Sequence, residues 1–582
     1  MSSLWQLLGG KATSAPPRSK HTWGGCPVCG NTEFTYLECA SDLGTIDELA
    51  AQPDCQTCAF ILQLASVETI RTIGPEGTMP DTPMNRATFS GRGFQLPNNL
   101  PMFRPQVISV YTEERRYRAC RFAVAVNHAV RARVRINRSE LGWRPPQPDE
   151  EGSASKPRIL GRKPLDYNQI KEWLSQCEAS HGANCNNADR LGSPVDIDLI
   201  DVVDMCLVSS TSASKYIAIS YVMGGVSGLQ SKVANRPSLS VPGTLDKLQS
   251  EVTTIIQDAI TVTRELGHRY LWADTLCIVQ DDPVDKGRQI AQMDVVYSHA
   301  LLTLVSVSGT HSNCGLPGVR QNSRPEIPVT LEYQGFGSSR SSVVQFEGCP
   351  PRLDEILKPS TYESRGWTFQ ERALSRRMLY FTNWQVYFQC RSDLTCEHGA
   401  ADDKDMKFVT MAKLTPLAGT LGLNTSVWTS RSDGAVEVDA AADDASGDSP
   451  QPAETAATPY ERPEVFEDYA FLTENYTARQ LTYASDVLNA FRGATNAIAR
   501  QMPQEFICGL PSKFLDLALL WMPAERNRRR ETPPEPKGPL LPTWSWAGWT
   551  GPITHACMIQ NGQLRDWFSS EVRWLRRGLH NG

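Results

Sequence analysis

Trp367 and Glu371 stand four residues apart, with Leu374 following on the same helical repeat. If this stretch is helical, tryptophan and glutamate share one face, and Glu371 is a candidate site residue. The competing reading is structural: Glu371 makes a surface ion pair or holds Arg365 or Arg372 in place, and Trp367 belongs to the core. A second carboxylate, Asp274, lies between Ala273 and Thr275 in an apolar stretch behind Trp272. A buried carboxylate is costly unless paired or hydrogen-bonded. It therefore either grips a ligand hydroxyl, caps a neighbouring helix or holds an arginine. A third feature is the run Met223-Gly224-Gly225 after the apolar residues 216–222. Glycines there let a backbone approach a ligand closely, or simply make a tight turn.

The cysteines suggest different chemistry. Cys26-Pro-Val-Cys29 and Cys55-Gln-Thr-Cys58 are two Cys-x-x-Cys pairs with 25 residues between them. That spacing fits a closed, tetrahedral, structural zinc site; the alternative is four small buried apolar groups. Cys177, His181 and Cys185 form a trio without a fourth neighbour, and no metal is assigned to them. Phosphate-loop, His-Glu-x-x-His and Gly-x-Ser-x-Gly motifs do not occur.

These residues need elements to position them. The short apolar run 216–222 reads as a strand buried on both faces, and 270–278 and 301–308 as two more. Between them, 245–266 has apolar residues at spacings of three and four and ends at Gly267, the pattern of an amphipathic helix; 285–299 is a second helix. Alternation of this kind predicts an α/β domain whose parallel sheet is flanked by helices. Residues 378–382 and 385–390 read as a hairpin around Asn383-Trp384, and 483–500 as a helix.

Three segments in this order resemble the signature of the fungal heterokaryon incompatibility (HET) domain: Tyr216-Ile-Ala-Ile-Ser-Tyr-Val-Met-Gly224, Tyr270-Leu-Trp-Ala-Asp-Thr-Leu-Cys-Ile-Val-Gln280 and Ser364-Arg-Gly-Trp-Thr-Phe-Gln-Glu-Arg372. The resemblance implies a protein of self/non-self recognition and regulated cell death that associates with itself or with another incompatibility protein. The Trp367–Glu371–Leu374 helix and the Ser220-Tyr221 pair are further similar to Toll/interleukin-receptor (TIR) domains, which implies a TIR-like, flavodoxin-like core. In TIR enzymes the matching glutamate cleaves NAD at the nicotinamide–ribose bond. By that likeness Glu371 and Asp274 become catalytic candidates, and Ser220, Tyr221, Gly224, Trp272 and Trp367 line an NAD(P) site. An oxocarbenium-like ribosyl cation is a species that a nearby carboxylate stabilises. One departure stands out: the family's first motif usually reads Ser-Tyr-Val-Trp-Gly, and here Met223 replaces the tryptophan. If that tryptophan lines the site, activity is weakened or lost; if it only packs, methionine is tolerated. Two functions from different classes follow, NAD(P) glycohydrolysis and non-catalytic assembly.

At 582 residues the chain is too long for one core. Residues 1–144 read as a Cys-rich N-terminal region, 145–165 as a Pro/Gly/Ser-rich linker and 166–400 as the HET-like α/β domain with its core at 216–375. Residues 430–461 are acidic, poor in large apolar groups and expected to be disordered; 462–582 form an α+β region packing on the HET core. A net charge of −6 argues against a nucleic-acid binder, no apolar run is long enough to span a membrane, and no secretory signal is expected at the start. Sixteen scattered cysteines fit reduced thiols and a cytoplasmic setting.

Overall fold

The computed structural model describes residues 164–186, 192–324, 353–397, 463–530 and 541–555, together with strands and short segments within 41–64, 107–138, 330–351 and 559–564. The expected linker, apart from its last residues, and the acidic stretch 430–461 lie outside the described residues. So do Cys26 and Cys29. The chain divides into two compact units, one made of 1–69, 81–160 and 326–351, the other of 70–80, 161–325 and 352–582.

The first unit holds a six-stranded antiparallel sheet in the order Ser41–Thr45, Val107–Arg116, Ala119–Val126, Ala129–Arg138, Val343–Cys349, Thr330–Gln334. Its fourth strand reads Ala-Val-Arg-Ala-Arg-Val-Arg-Ile-Asn-Arg, a near period-two alternation of apolar residues and arginine suited to a pleated strand. Its last two strands come from a stretch that interrupts the second unit in sequence.

The second unit is built on an eight-stranded sheet. In chain order its strands are β1 (Asp196–Asp201), β2 (Cys206–Thr211), β3 (Tyr216–Ser220), β4 (Tyr270–Trp272), β5 (Leu302–Ser306), β6 (Arg377–Phe381), β7 (Val386–Cys390) and β8 (Leu394–Cys396). Their order across the sheet is β8-β7-β6-β5-β3-β4-β1-β2. The middle strands β6, β5, β3 and β4 run parallel, and every residue of β3, β5 and β6 is buried. Continuous apolar runs are what a strand covered on both faces requires. The outer strands are antiparallel, so the sheet is mixed and only its centre is the parallel sheet that the alternation predicts. From β3 the chain steps to β4 on one side and then to β5 on the other, which leaves a reversal between β3 and β5.

The longer helices among the described residues are α1 (Tyr167–Ser180), α2 (Thr254–Glu265), α3 (Pro283–Ala291), α4 (Met293–His299), α5 (Gly366–Leu374), α6 (Pro463–Thr477) and α7 (Arg492–Gln501). Local chemistry sets their ends. Asp166 caps α1 by accepting the N–H groups of Asn168 and Gln169, and Asp282 caps α3 ahead of Pro283.

Four expectations need correction. The helix read over 245–266 is a turn at Thr244–Lys247 and then α2. Between them the Glu251 carbonyl accepts the Leu229 N–H at 2.8 Å and Thr253 is extended, which holds this stretch out of the helix. The strand read over 270–278 stops at Trp272, and Asp274–Cys277 is a helical turn whose Cys277 N–H bonds Ala273 at 2.8 Å. The helix read over 285–299 is interrupted at Gln292. The helix read over 483–500 is a 3₁₀ turn, Ala484–Val487, followed by α7. The hairpin is as read: β6 and β7 pair antiparallel, and the Thr382 hydroxyl accepts the N–H groups of Trp384 and Gln385 across the turn.

The C-terminal segment shares this unit's core. Phe369 of α5 stacks on Phe491 at 6.0 Å and lies 5.5 Å from Tyr476, and Trp546 meets both of those rings edge-on. Among the described residues no helix is long and apolar enough to cross a membrane.

Candidate functional site

Ser220 is the last residue of β3 and Tyr221 follows it, so the two side chains leave the strand in opposite directions. The Ser220 hydroxyl donates to Glu371 Oε2 of α5 and lies 2.7 Å from the Tyr362 hydroxyl. The Tyr221 hydroxyl donates to Asp274 Oδ1 at 3.1 Å and lies 3.1 Å from Thr275 Oγ1. Tyr297 of α4 reaches the same place, its hydroxyl bonded to the Ile219 carbonyl at 3.2 Å. Two carboxyls and several hydroxyls thus meet at the carboxyl end of β3. In open α/β sheets that is where ligands bind, beside a reversal of strand order.

Burial controls the electrostatics here. Glu371 is 8% exposed, and loss of hydration pushes its carboxyl up to about 7. The Ser220 hydroxyl opposes that rise, the charge of nearby Asp274 adds to it, and Arg365 works against it. Asp274 is also raised by burial, against the pull of the Tyr221 hydroxyl and the Thr275 N–H. Burial lifts Tyr221, Tyr297 and Tyr362 well above the ordinary phenol range, so these hydroxyls stay protonated donors near neutral pH. A carboxyl divided between its two forms near pH 7 can move a proton or, once charged, stabilise a developing cation.

Ser220, Tyr221, Asp274 and Glu371 are brought together. Trp272 and Trp367 are placed otherwise. Trp272 is wholly buried and meets Tyr297 edge-on at 5.4 Å, so a stacking role would require it to be uncovered. Trp367 is half-buried, and its indole N–H donates to Asp486 Oδ2 at 3.2 Å, toward the C-terminal segment. Gly224 has φ +67°, and a Cβ there would lie 2.3 Å from His311 Cβ and 2.5 Å from the Thr310 carbonyl. The loops after β3 and β5 touch at this glycine, and the Ser312 N–H bonds the Met223 carbonyl beside it at 3.1 Å. Gly224→Ala is therefore expected to cost about 2 kcal/mol, from the left-handed backbone and from displaced neighbours, read as a lowered unfolding midpoint.

Sequence reasoning missed Tyr362 as a member of the site and gave Tyr297 no role there. Tyr362 lies outside any periodic element, and only its nearness to the Ser364-Arg-Gly-Trp367 motif could have pointed to it. Ser306, the last residue of β5 across the reversal from Ser220, has a buried hydroxyl without a hydrogen-bond partner among the described residues.

Residues 216–371 match the family model described as Heterokaryon incompatibility protein (HET). The chain carries a HET domain. No curated protein and no solved structure matches it. The matched segment begins with β3 and ends at Glu371, so the hydrogen bond from Ser220 to Glu371 joins the two ends of the HET match.

For metal, Cys58 is buried and Cys55 half-buried, while their expected co-ligands Cys26 and Cys29 lie outside the described residues. The trio left unassigned for want of a fourth neighbour has one: Cys177, His181 and Cys185 meet Cys390, a set of side chains that could hold a metal ion.

Proposed function

We propose that this HET domain protein acts in self/non-self recognition and regulated cell death, and that it does so by cleaving the nicotinamide–ribose bond of NAD(P). The observation that carries this reading is the Glu371 carboxyl, buried at the carboxyl end of β3 beside Asp274 and able to ionise near neutral pH. The order β4-β3-β5-β6 is that of flavodoxin-like sheets, whose ligand sits at the equivalent reversal, and this supports a TIR-like core. As nicotinamide departs, positive charge grows on the ribose, and the Glu371 carboxylate stabilises it. Asp274 grips ribose hydroxyls, Tyr221 orients Asp274, and Ser220 orients Glu371. Water then adds at the anomeric carbon, giving ADP-ribose (or its phosphate) and a proton. Gly224, Trp272 and Trp367 act as packing residues that shape the site. The protein acts in the cytoplasm, by self-association or with another incompatibility protein, and Cys26, Cys29, Cys55 and Cys58 form a structural zinc site.

The test is nicotinamide released from NAD and NADP by the purified full chain. Glu371→Ala and Glu371→Gln are expected to lower release about 100-fold or more. Release should rise from pH 6 to pH 8, because the carboxylate replaces the neutral acid as pH passes about 7. The second reading, a non-catalytic assembly module, is favoured by Met223 and by the engagement of the Glu371 carboxyl by Ser220 within the fold. Toxicity that persists in Glu371→Gln, with no nicotinamide released by the parent, would establish that reading instead.

A further inference from the structure

Cys177 lies in the last turn of α1, His181 is its C-cap, and Cys185 lies on the helical turn Gly182–Asn186. Spacings of four bring side chains on successive turns to one side. Cys390, the last residue of β7, comes to the same point from the far end of the sheet sequence. One ligand atom from each of the four lies within 4.8 Å of all the others, and Cys390 Sγ is 3.3 Å from His181 Nδ1. Tetrahedral zinc with ordinary bond lengths separates two thiolate sulfurs by about 3.8 Å and a sulfur from an imidazole nitrogen by about 3.6 Å. The four donors need only small adjustments, the widest separations closing and the Cys390–His181 pair opening slightly, to hold one ion.

The surroundings point the same way independently. Arg377 is 1% exposed, and among the described residues no carboxylate pairs with it. Its guanidinium donates instead to Cys177 Sγ at 3.1 Å, to Asn186 Oδ1 and to the Leu301 carbonyl. A buried cation calls for an anionic partner. The backbone N–H groups of Ser392 and Asp393 both donate to Cys390 Sγ, at 3.4 and 3.2 Å, and the Ser392 hydroxyl lies 3.6 Å from Cys185 Sγ. Donors directed at sulfur are what metal-bound thiolates require around them. Three thiolates and one divalent ion leave a net charge of −1 beside the buried guanidiniums of Arg377 and Arg376, the anionic partner that buried cations call for.

We propose that Cys177, His181, Cys185 and Cys390 bind one zinc ion in a closed, four-ligand structural site. Three sulfurs and one imidazole suit zinc, and the short separations fit a single ion and not the longer span of an iron–sulfur cluster. The ligands flank the HET match on both sides, so the ion clamps the helix ahead of β1 to the hairpin that follows α5, within one compact unit. The fourth ligand is far away in sequence, and no local spacing could announce it.

The test is zinc content per full-length chain, measured on purified protein. Cys390→Ser is expected to carry one equivalent less than its parent, whether or not Cys26→Ser is also present. That separates this site from the N-terminal pairs. His181→Cys should keep the metal and, loaded with cobalt(II), should gain thiolate charge-transfer intensity over the cobalt(II) parent. If Cys390→Ser does not fold, native alkylation of the parent decides: phenanthroline should speed modification of Cys177, Cys185 and Cys390. Equal zinc in the parent and a folded Cys390→Ser variant, or alkylation of these three cysteines unchanged by the chelator, would overturn the assignment.

Discussion

Glu363→Ala is expected to destabilise the second unit by about 3–5 kcal/mol, the scale for removing one partner of a buried ion pair. Glu363 Oε1 accepts from Arg372 Nη2 of α5 at 2.9 Å and from Arg479, just after α6. Both arginines are buried, their side chains 8% and 4% exposed. Without Glu363, Arg372 loses its carboxylate. Among the described residues Arg479 keeps only weaker supports, the Arg365 carbonyl and Thr368 hydroxyl at 3.3 Å each and the Phe369 ring at 5.2 Å. Two uncompensated guanidiniums would then share one low-dielectric place. Glu363→Gln keeps an acceptor and removes the charge, so it should fall between parent and alanine. The measurement is the urea midpoint of the second unit, followed by tryptophan fluorescence. A shift below about 1 kcal/mol, typical of a surface pair, would show that Arg372 of α5 and Arg479 of the C-terminal segment do not depend on Glu363 for their charge balance.

That dependence marks a limit of what the sequence discloses. β3 and β5 were legible as short continuous apolar runs, α2 by its helical periodicity, and the β6–β7 hairpin because its turn is short. The meeting of Ser220, Asp274 and Glu371 was legible only through the order of three motifs, since nothing local joins a strand end to a helix 151 residues later. Apart from Asp274 and Thr275 the run Tyr270-Leu-Trp-Ala-Asp-Thr-Leu-Cys-Ile is apolar, so a strand followed by a helical turn reads the same as one long strand. The Glu363 fork and the Cys390 ligand were illegible for a common reason. Each is a single polar group with a partner from a distant segment, Arg479 for Glu363 and the trio Cys177, His181 and Cys185 for Cys390, and their types are ordinary until the fold assembles them. The antiparallel edges β1–β2 and β7–β8 likewise dilute the parallel pattern that the alternation predicts.

Glu371→Gln is expected to stabilise the protein at pH 8 by about 3 kcal/mol and to leave it unchanged near pH 4. The folded state holds the Glu371 proton up to about 7, whereas the unfolded chain releases it near the ordinary 4.5. Between those values the folded protein binds more protons than the unfolded one, so its stability falls as pH rises. The favourable contribution is whole below pH 4.5 and lost once pH has passed about 7, at about 1.4 kcal/mol for each unit of difference. Glutamine is neutral throughout, matches the acid in shape and can accept the Ser220 hydrogen bond through its carbonyl oxygen. Asp274 titrates in both proteins and cancels, apart from its repulsion of the Glu371 carboxylate, which belongs to the effect measured. Thermal unfolding of the pair across pH 4–8 gives the difference curve directly. Parallel curves would mean that Glu371 is hydrated and ordinary, and the carboxyl could then have no special reactivity near neutral pH. A diverging pair, with the glutamine variant both more stable and unable to release nicotinamide, would show a charge kept against the interest of the fold. A buried carboxyl that weakens its own protein at working pH is the kind of group that marks a site for a ligand, and the pair of measurements tests that for Glu371.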